Sequence, residues 1–363
     1  MSKITVAVLF GGCSSEHAVS LRSAAAVIRN IPREKYDLRL LGITRQGKWL
    51  LYEGGPDAIE NGDWERDSRN RRAFLTPDRS VYALMVQQGD GFAALPVDVV
   101  FPILHGKNGE DGTMQGLLEL CGIPYVGCGT LASAVCMDKA VANILLASAG
   151  ITKAQFLWFF AREYNSIKEQ VRQEITQRLG DYPVFVKPAN AGSSVGISKV
   201  KSEAELDEAI ARAAKEDQKI VIEETICGKE VECAVLGSGR PLVSVVGEIA
   251  PSAEFYDYAD KYDNGTSQVY IPAPLNEETS EQIRQVAAQA YRVLGCEGLA
   301  RVDFFVREHD GAALLNEVNT MPGFTSISMY PMLWEACGMD FAHLLDNLIT
   351  LALEKPQTHA TFK

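Results

Sequence analysis

The chain has 363 residues, a length that suits two or three domains. Hydrophobic residues make up 47% and charged residues 23%, the balance of a chain with real cores, and no run of ~18 apolar residues offers a membrane span. A net charge of −12 argues against a nucleic-acid scaffold, whose affinity rests on basic patches.

The N-terminus MSKITVAVLFGG carries one lysine before a short apolar run and lacks a signal-peptide cleavage pattern. Residues 3–10 read as a buried strand turned by Gly11-Gly12, SLRSAAAVIRNI has helical spacing, and 36–43 reads as a second strand. This start opens a doubly wound α/β sheet. Its turn reads G-G-C-S-S-E, not G-x-G-x-x-G, which argues against a dinucleotide and hence a nicotinamide dehydrogenase. A polar, Gly- and Arg-rich insert covers 53–80. VDVVFPIL (97–104) is a continuous apolar strand buried on both faces, followed by the polar loop HGKNGEDGT and a short helix, MQGLLELCGI. DKAVANILLASAG is a helix capped by Asp138 and stopped by Gly150.

The stretch VFVKPANAGSSVG (184–196) comes next. Ser202 to Glu205 predicts a capping box for a helix over 203–215. KIVIEE (219–224) and EVECAVLG (230–237) read as strands, and NEETSEQIRQVAAQAYRVLG as a capped helix ending at Gly295. GLARVDFFV and AALLNEVN flank REHDG and predict a hairpin; 331–354 is helical, and the tail PQTHATFK is expected to fray. The eight cysteines show no C-x-x-C. Cys121, Cys128, Cys136 and Cys296 sit in apolar stretches, the pattern of buried free thiols in a reducing cytosol.

Three constellations carry chemistry. In the first, small residues 189–196 let backbone N–H groups approach phosphate oxygens, with Lys187 at the preceding strand end. In a P-loop the lysine follows the glycines; here it precedes them, and alone the loop reads equally well as a flexible surface turn. In the second, a turn at His309-Asp310-Gly311 places Asp303 opposite Glu317. Strand alternation then puts Arg301, Asp303 and Phe305 on one face with Leu315, Glu317 and Asn319. These oxygen-only ligands favour magnesium or calcium, of which magnesium keeps sites open for waters and phosphates; the alternative is a solvated face with an Arg301–Asp303 contact, set against very apolar flanks. In the third, Glu16 and His105 lie past strand ends, where ligands gather in open α/β sheets, although either residue alone reads as solvated. Together they describe an ATP site without a Walker A motif, its phosphates cradled by the loop and its metal held by the distant hairpin.

LFGGCSSEHAVS, HGKNGEDGTMQG, MDKA, FVKPANAGSSVG, FYDYADKY, LARVDFF and LNEVNTMPGFTSIS resemble, in order and over nearly the whole chain, the D-alanine–D-alanine ligases of the ATP-grasp superfamily. The glycopeptide-resistance ligases that make D-alanyl-D-lactate or D-alanyl-D-serine are close relatives. The resemblance implies an α/β ATP-grasp fold with a Rossmann-like N-terminal substrate domain (1–127), a central ATP-grasp subdomain (128–223) and a C-terminal subdomain (224–363) holding the metal site and a lid loop over 251–269. It implies ATP and two magnesium ions (manganese as substitute), a cytoplasmic homodimer, and synthesis of the peptidoglycan precursor D-alanyl-D-alanine through a D-alanyl phosphate.

Residue by residue, the resemblance gives Lys139 and Lys187 the ATP phosphates, Lys261 the γ-phosphate, and Ser193, Ser194 and Val195 the closing loop. Glu223, Glu224 and Ile226 would form the adenine hinge, Glu230 would bind ribose, and Phe255 and Phe305 would sandwich adenine. The family commonly has lysine where Glu224 stands, which leaves a backbone contact there unaffected. Asp303, Glu317 and Asn319 would bind magnesium. Glu16 would hold the first ammonium with His105 nearby, Arg301 and the N–H of Gly323 the oxyanion, and Ser328 the second carboxylate. Ser193, Tyr262 and Glu16 would lock the lid. Lactate-using ligases tend to carry histidine where Tyr262 stands, and resistance ligases often carry arginine where Met329 stands. Both positions point to D-alanine as second substrate. Intact Lys139, Lys187, Asp303, Glu317 and Asn319 argue against a non-catalytic ATP-binding protein.

Overall fold

The computed structural model describes residues 3–250 and 268–355. β1 (Ile4–Gly11) turns into α1 (His17–Asn30), and β2 (Tyr36–Ile43) returns parallel to β1 with Val8 beside Leu40. β3 (Trp49–Tyr52), α2 (Pro56–Glu60), β4 (Arg71–Leu75), β5 (Ala83–Gln88) and β6 (Gly91–Pro96) follow, the strands extending the sheet antiparallel. β7 (Val99–Ile103) then pairs parallel with the free side of β1, for a sheet order of β6-β5-β4-β3-β2-β1-β7. The doubly wound start is thus three parallel strands wide. The rest is an antiparallel extension, one strand of which comes from the polar insert that showed no periodicity.

α3 (Thr113–Cys121), α4 (Thr130–Met137) and α5 (Lys139–Ser148) lead to the central sheet. As expected, the Asp138 carboxylate caps α5, accepting from Val141 N at 3.1 Å. β8 (Phe156–Phe160), α6 (Tyr164–Arg178), β9 (Val184–Pro188), β10 (Ser198–Val200), α7 (Glu203–Ala213) and β11 (Lys219–Glu224) build a four-stranded antiparallel sheet, β10-β9-β11-β8, with Leu206, Ile210, Val171 and Ile175 of the two helices in its core. Ser202 is the N-cap of α7, yet its side chain makes no capping bond; the Glu205 carboxylate instead accepts from Lys201 N at 2.9 Å.

β12 (Gly228–Gly237), β13 (Leu242–Val243), β14 (Gly247–Ala250), β15 (Gln268–Tyr270), α8 (Glu277–Val293), β16 (Gly298–Arg307) and β17 (Ala313–Asn319) form the third sheet, antiparallel throughout. Gly311 takes the left-handed conformation, φ 70°, in the β16–β17 turn, and Asp303 stands opposite Glu317. The expected placement of Leu315 on that face is wrong. A β-bulge after Asp303 pairs Phe304 with Leu315, so both turn into the core, while Asn316 joins Glu317 toward the open side. The helical end splits at Cys337-Gly338 into α9 (Met329–Ala336) and α10 (Phe341–Glu354).

α10 does not stay with the third sheet. Leu344, Leu345, Leu348 and Ile349 share one core with Val6, Val8 and Phe10 of β1, with Val99 and Phe101 of β7, and with Leu236 and Leu299 of the third sheet. Ala7 and Leu9 pack on the opposite face against Met114 and Leu118 of α3. The strand is covered on both faces, which is why it reads as an unbroken apolar run. No described helix is by itself long and apolar enough to cross a membrane. Cys121, Cys128, Cys136 and Cys296 are buried free thiols.

The insert is a structural buttress. Trp64, in a short 3₁₀ turn, is fully buried, with its ring edge-on to Phe10 at 4.9 Å and near Tyr52 at 6.3 Å. Asn70 Nδ2 donates to Trp64 O at 2.7 Å and ties the loop down. Trp64→Ala is expected to cost about 3–5 kcal/mol, read as a lowered denaturation midpoint, while substrate KM values stay within twofold or so because the insert lines no part of the cleft described next. An unchanged midpoint would remove the insert from the core.

Candidate active site

One cleft of about 550 Å³ opens where the three sheets meet. Its wall takes Glu16 and His105 from the first sheet, Lys187 and Glu223 from the second, and Arg301, Asp303 and Glu317 from the third. Sites at the carboxyl ends of parallel strands and at domain junctions are where ligands gather.

The Lys187 end is built by strand register. On paired β9 and β11, Lys187 lies opposite Val221 and Phe185 opposite Glu223, so Lys187 reaches Glu223 diagonally. Lys187 Nζ donates to Glu223 Oε2 at 2.6 Å, and Asn143 Nδ2 donates to Glu223 Oε1 at 3.1 Å. Burial alone would lower the Lys187 ammonium; Glu223, then Glu317 and Glu230, outweigh it and hold it above the usual lysine range. Glu223 therefore orients Lys187 with its carboxylate. Lys139, first residue of α5, is held by the loop at both ends: its N–H donates to Ala189 O at 3.1 Å and its Nζ to Ala191 O at 2.7 Å, with Glu317 Oε2 4.0 Å away. In the loop, Ser193 and Ser194 both adopt positive φ, 50° and 61°, strain typical of functional segments. Val195 N closes a turn on Gly192 O at 3.1 Å, and Val195 does not line the cleft.

On the hairpin, Arg301 forks onto Asp303, with Nε to Oδ1 at 2.8 Å and Nη2 to Oδ2 at 2.6 Å, and its Nε lies 2.9 Å from Glu232 Oε2 on β12. Burial opposes the guanidinium charge, and Asp303 and Glu232 overcome it. Asn319 Nδ2 donates to Asp303 Oδ2 at 2.9 Å, which leaves Asn319 Oδ1 as that side chain's acceptor. Asp303 is only 8% exposed, so it is not on a solvated face, although the Arg301–Asp303 contact of that alternative is present. Among the described residues no three His, Cys, Asp or Glu side chains gather as a complete metal cage. Two facing carboxylates and one carboxamide suit a magnesium ion, which keeps waters and takes phosphate oxygens for the rest of its shell.

At the opposite end, the Glu16 carboxylate is wedged between two loops. A Cβ on Gly106 or Gly192 would come within 2.3 Å or 2.5 Å of Glu16 Oε2 and would displace that carboxylate, and Gly106 also takes the left-handed conformation, φ 70°. Ser193 Oγ donates to Glu16 Oε1, joining residues 177 positions apart. His105 is buried, with Nδ1 3.0 Å from Met321 O and Nε2 3.1 Å from Ser23 Oγ. The carbonyl can only accept, so Nδ1 carries the proton and Nε2 accepts from the serine. Glu110 escaped the sequence reading although it sits in HGKNGEDG. Its Oε2 accepts from Gly106 N at 2.6 Å, and burial, then the Glu16 carboxylate, push it up to about 8. Ser328 is the N-cap residue of α9 without a side-chain capping bond, and its Oγ accepts instead from Thr325 N at 3.0 Å; Met329 is buried behind it, and both line the cleft with Gly323.

Glu224, Ile226, Glu230 and Phe305 line the remaining arm. The Glu224 carboxylate accepts from Gln155 N at 2.6 Å. Lys153, Asn316 and Glu232 also belong to this neighbourhood and had no sequence signal. Burial, with repulsion from Lys187 and Lys139, brings the Lys153 ammonium down to about 8 against the pull of Glu223 and Glu317. Phe255, Lys261 and Tyr262 lie outside the described residues.

Burial lowers His105 from 6.5 to about 4, so it stays neutral in the fold while the unfolded chain takes up a proton below pH 6.5. Its contribution is present above pH 6.5 and is lost as pH falls through 4, amounting to about 3 kcal/mol over that window. His105→Gln is expected to flatten the stability–pH slope between these limits in denaturant titrations. An unchanged slope would show that His105 does not titrate as argued.

The family models that match are the D-Ala–D-Ala ligase N-terminus over residues 5–128 and the D-Ala–D-Ala ligase C-terminus over residues 145–350. The chain is 51% identical to the D-alanine–D-alanine ligase of Acetivibrio thermocellus, over 97% of this chain and 96% of that one. It is 49% identical to that of Caldicellulosiruptor bescii, over 100% and 99%. Among solved structures it superposes on the VanG D-Ala:D-Ser ligase from Enterococcus faecalis (TM-score 0.88, 43% identity, 97% and 100% covered). It also superposes on the D-alanine–D-alanine ligase from Coxiella burnetii (TM-score 0.82, 33% identity, 97% and 94% covered). The chain has the ATP-grasp fold and belongs to the D-alanine–D-alanine ligase family.

Proposed function

We propose that the protein joins two D-alanines to D-alanyl-D-alanine at the expense of ATP. The observation that carries this reading is the single cleft in which Lys139, Lys187 and the 189–196 loop meet Asp303, Glu317 and Asn319 on one side and Glu16 and Ser328 on the other. A carboxylate is a poor electrophile. The first D-alanine carboxylate therefore attacks the γ-phosphorus, ADP leaves, and a D-alanyl phosphate results. The amine of the second D-alanine, having lost its proton, then attacks the acyl carbon, phosphate leaves, and the peptide bond forms.

Each residue has a task in that sequence. Glu16, oriented by Ser193, binds the first ammonium, and neutral His105 fixes the loop beside it. Lys139 and Lys187 bind phosphates and offset the anions brought together in the first step. Ser194 and Val195 carry backbone N–H groups of the same loop. The Arg301 guanidinium and Gly323 N–H stabilise the oxyanion of the tetrahedral intermediate, and Ser328 binds the second carboxylate. Ile226 and the Glu224 backbone face adenine, Phe305 packs on it, and Glu230 binds ribose. Asp303, Glu317 and Asn319 would hold magnesium, which supplies charge neutralisation at the phosphates. The three sheets fit units of 1–127, 128–223 and 224–363, and buried free thiols and ATP use suit the cytoplasm.

The likeness to the D-Ala:D-Ser ligase favours a second reading, in which D-serine is the acceptor. Met329 argues for D-alanine: its thioether packs against a methyl and offers nothing to a hydroxyl. With ATP, magnesium and equimolar D-alanine, D-serine and D-lactate at pH 7, D-alanyl-D-alanine is expected as the main product by mass spectrometry. A majority of mixed product would replace this reading with the other. Glu317→Gln is expected to slow ADP release by roughly 100-fold or more at an unchanged melting temperature; normal turnover with ordinary magnesium dependence would overturn the metal assignment.

A further inference from the structure

We infer that Lys153 is a positioning residue for the ligation reaction: it pins the β17 bulge and thereby sets where Glu317 stands. This rests on the assignment of Glu317 to the nucleotide's metal. Lys153 lies in the short segment between α5 and β8, far from the hairpin in sequence. The segment nevertheless pairs with β17. Leu315 N donates to Thr152 O at 3.0 Å, and Lys153 forms an isolated parallel bridge with Leu315. From that bridge the Lys153 ammonium donates to Leu315 O at 3.0 Å and to Asn316 O at 2.7 Å.

Those two carbonyls belong to the residues at which the β16–β17 register shifts. A bulge inserts an unpaired residue and disrupts the ladder, so its backbone groups need partners from elsewhere. One ammonium with three donors can satisfy two carbonyls at once, and charge-assisted bonds are the stronger kind. The bulge in turn has a directional effect. It sends Leu315 into the core and leaves Asn316 and Glu317 both lining the cleft. A side chain that holds Leu315 and Asn316 by their carbonyls therefore fixes the backbone one residue from the Glu317 carboxylate. A neutral side chain of similar length would fill the space and leave the carbonyls unheld.

The test is calorimetric binding of ADP, with and without magnesium, to the parent protein, Lys153→Met, Lys153→Arg, Glu317→Gln and the Met/Gln double variant, with melting curves for each. Lys153→Met is expected to bind magnesium–ADP about tenfold more weakly, the scale of groups that orient metal ligands, and to bind ADP without magnesium within about twofold of the parent. In turnover, half-saturating magnesium should rise in step while KM for D-alanine stays put. Lys153→Arg, which keeps charge and donors, should recover part of the loss. In the Glu317→Gln background, Lys153→Met should add nothing, because the group it positions is already gone. Equal losses with and without magnesium, full additivity with Glu317→Gln, or parent-like binding by Lys153→Met would each overturn the inference. If Glu317→Gln alone binds magnesium–ADP normally, the metal assignment fails instead. Lys153→Gln, with a neutral donor for one carbonyl, carries the same expectation at smaller amplitude should the methionine variant melt below the assay temperature.

Discussion

A charge taken out of water has to be paired, and the cleft is organised around that requirement. Lys187 is bound to Glu223, Arg301 to Asp303 and Glu232, and Lys139 to the carbonyl of Ala191. Each pair costs desolvation, and a hydrophobic pair of the same volume would be at least as stable. What the pairs supply is position. Cations held by fixed carboxylates are in place before any reaction, the condition under which electrostatic stabilisation is strongest. The same pairing explains why Glu223 is on the wall of the cleft although its side chain points at a lysine.

Position in turn depends on how three separate sheets are held together. The core containing α10 binds the last helix of the chain to the first strand, so the loop that carries Glu16 and the α9 cap that carries Ser328 are tied through common apolar packing. His105 adds a polar link across the same junction, from the end of β7 to Met321 O. The Ser193–Glu16 bond completes the connection from the second sheet to the first. The proposed site for two amino acids and a nucleotide would draw on all of these spans, because the residues assigned to each come from different sheets.

Much of this was legible in the sequence because it follows from strand periodicity and turn chemistry. The Asp303–Glu317 pairing came from counting back from one glycine turn, and the Asp138 cap from a carboxylate ahead of an apolar helix. The motif resemblance supplied the remaining assignments. What escaped depends on tertiary contacts. A bulge has no local signal, so Leu315 was placed on the wrong face and Asn316 was overlooked. Lys153 is one lysine in an ordinary loop, and only the chain's return beside β17 gives it partners. The insert reads as polar because its large buried anchors, Ile59 and Trp64, are few and pack on a sheet face formed by strands distant from them in sequence. Nothing local indicates that Lys187, on the adjacent strand, will claim the Glu223 carboxylate.

The amino-acid end of the cleft shows how one fold sorts two neighbouring carboxyl groups. Glu16 and Glu110 approach each other in a buried loop cluster, and both cannot stay ionised cheaply. Burial, then the Glu16 carboxylate, push Glu110 up to about 8, where it holds its proton at neutral pH. Glu110 still accepts from Gly106 N, which fixes the glycine that must lie against Glu16. Under the proposed function this subsite would offer the Glu16 carboxylate to one ammonium, with a neutral imidazole beside it. A zwitterion held that way would extend its carboxylate toward Lys139, Lys187 and Arg301, which line the same cleft, so the charge pattern that recognises the amino acid would also orient it for attack on the γ-phosphate.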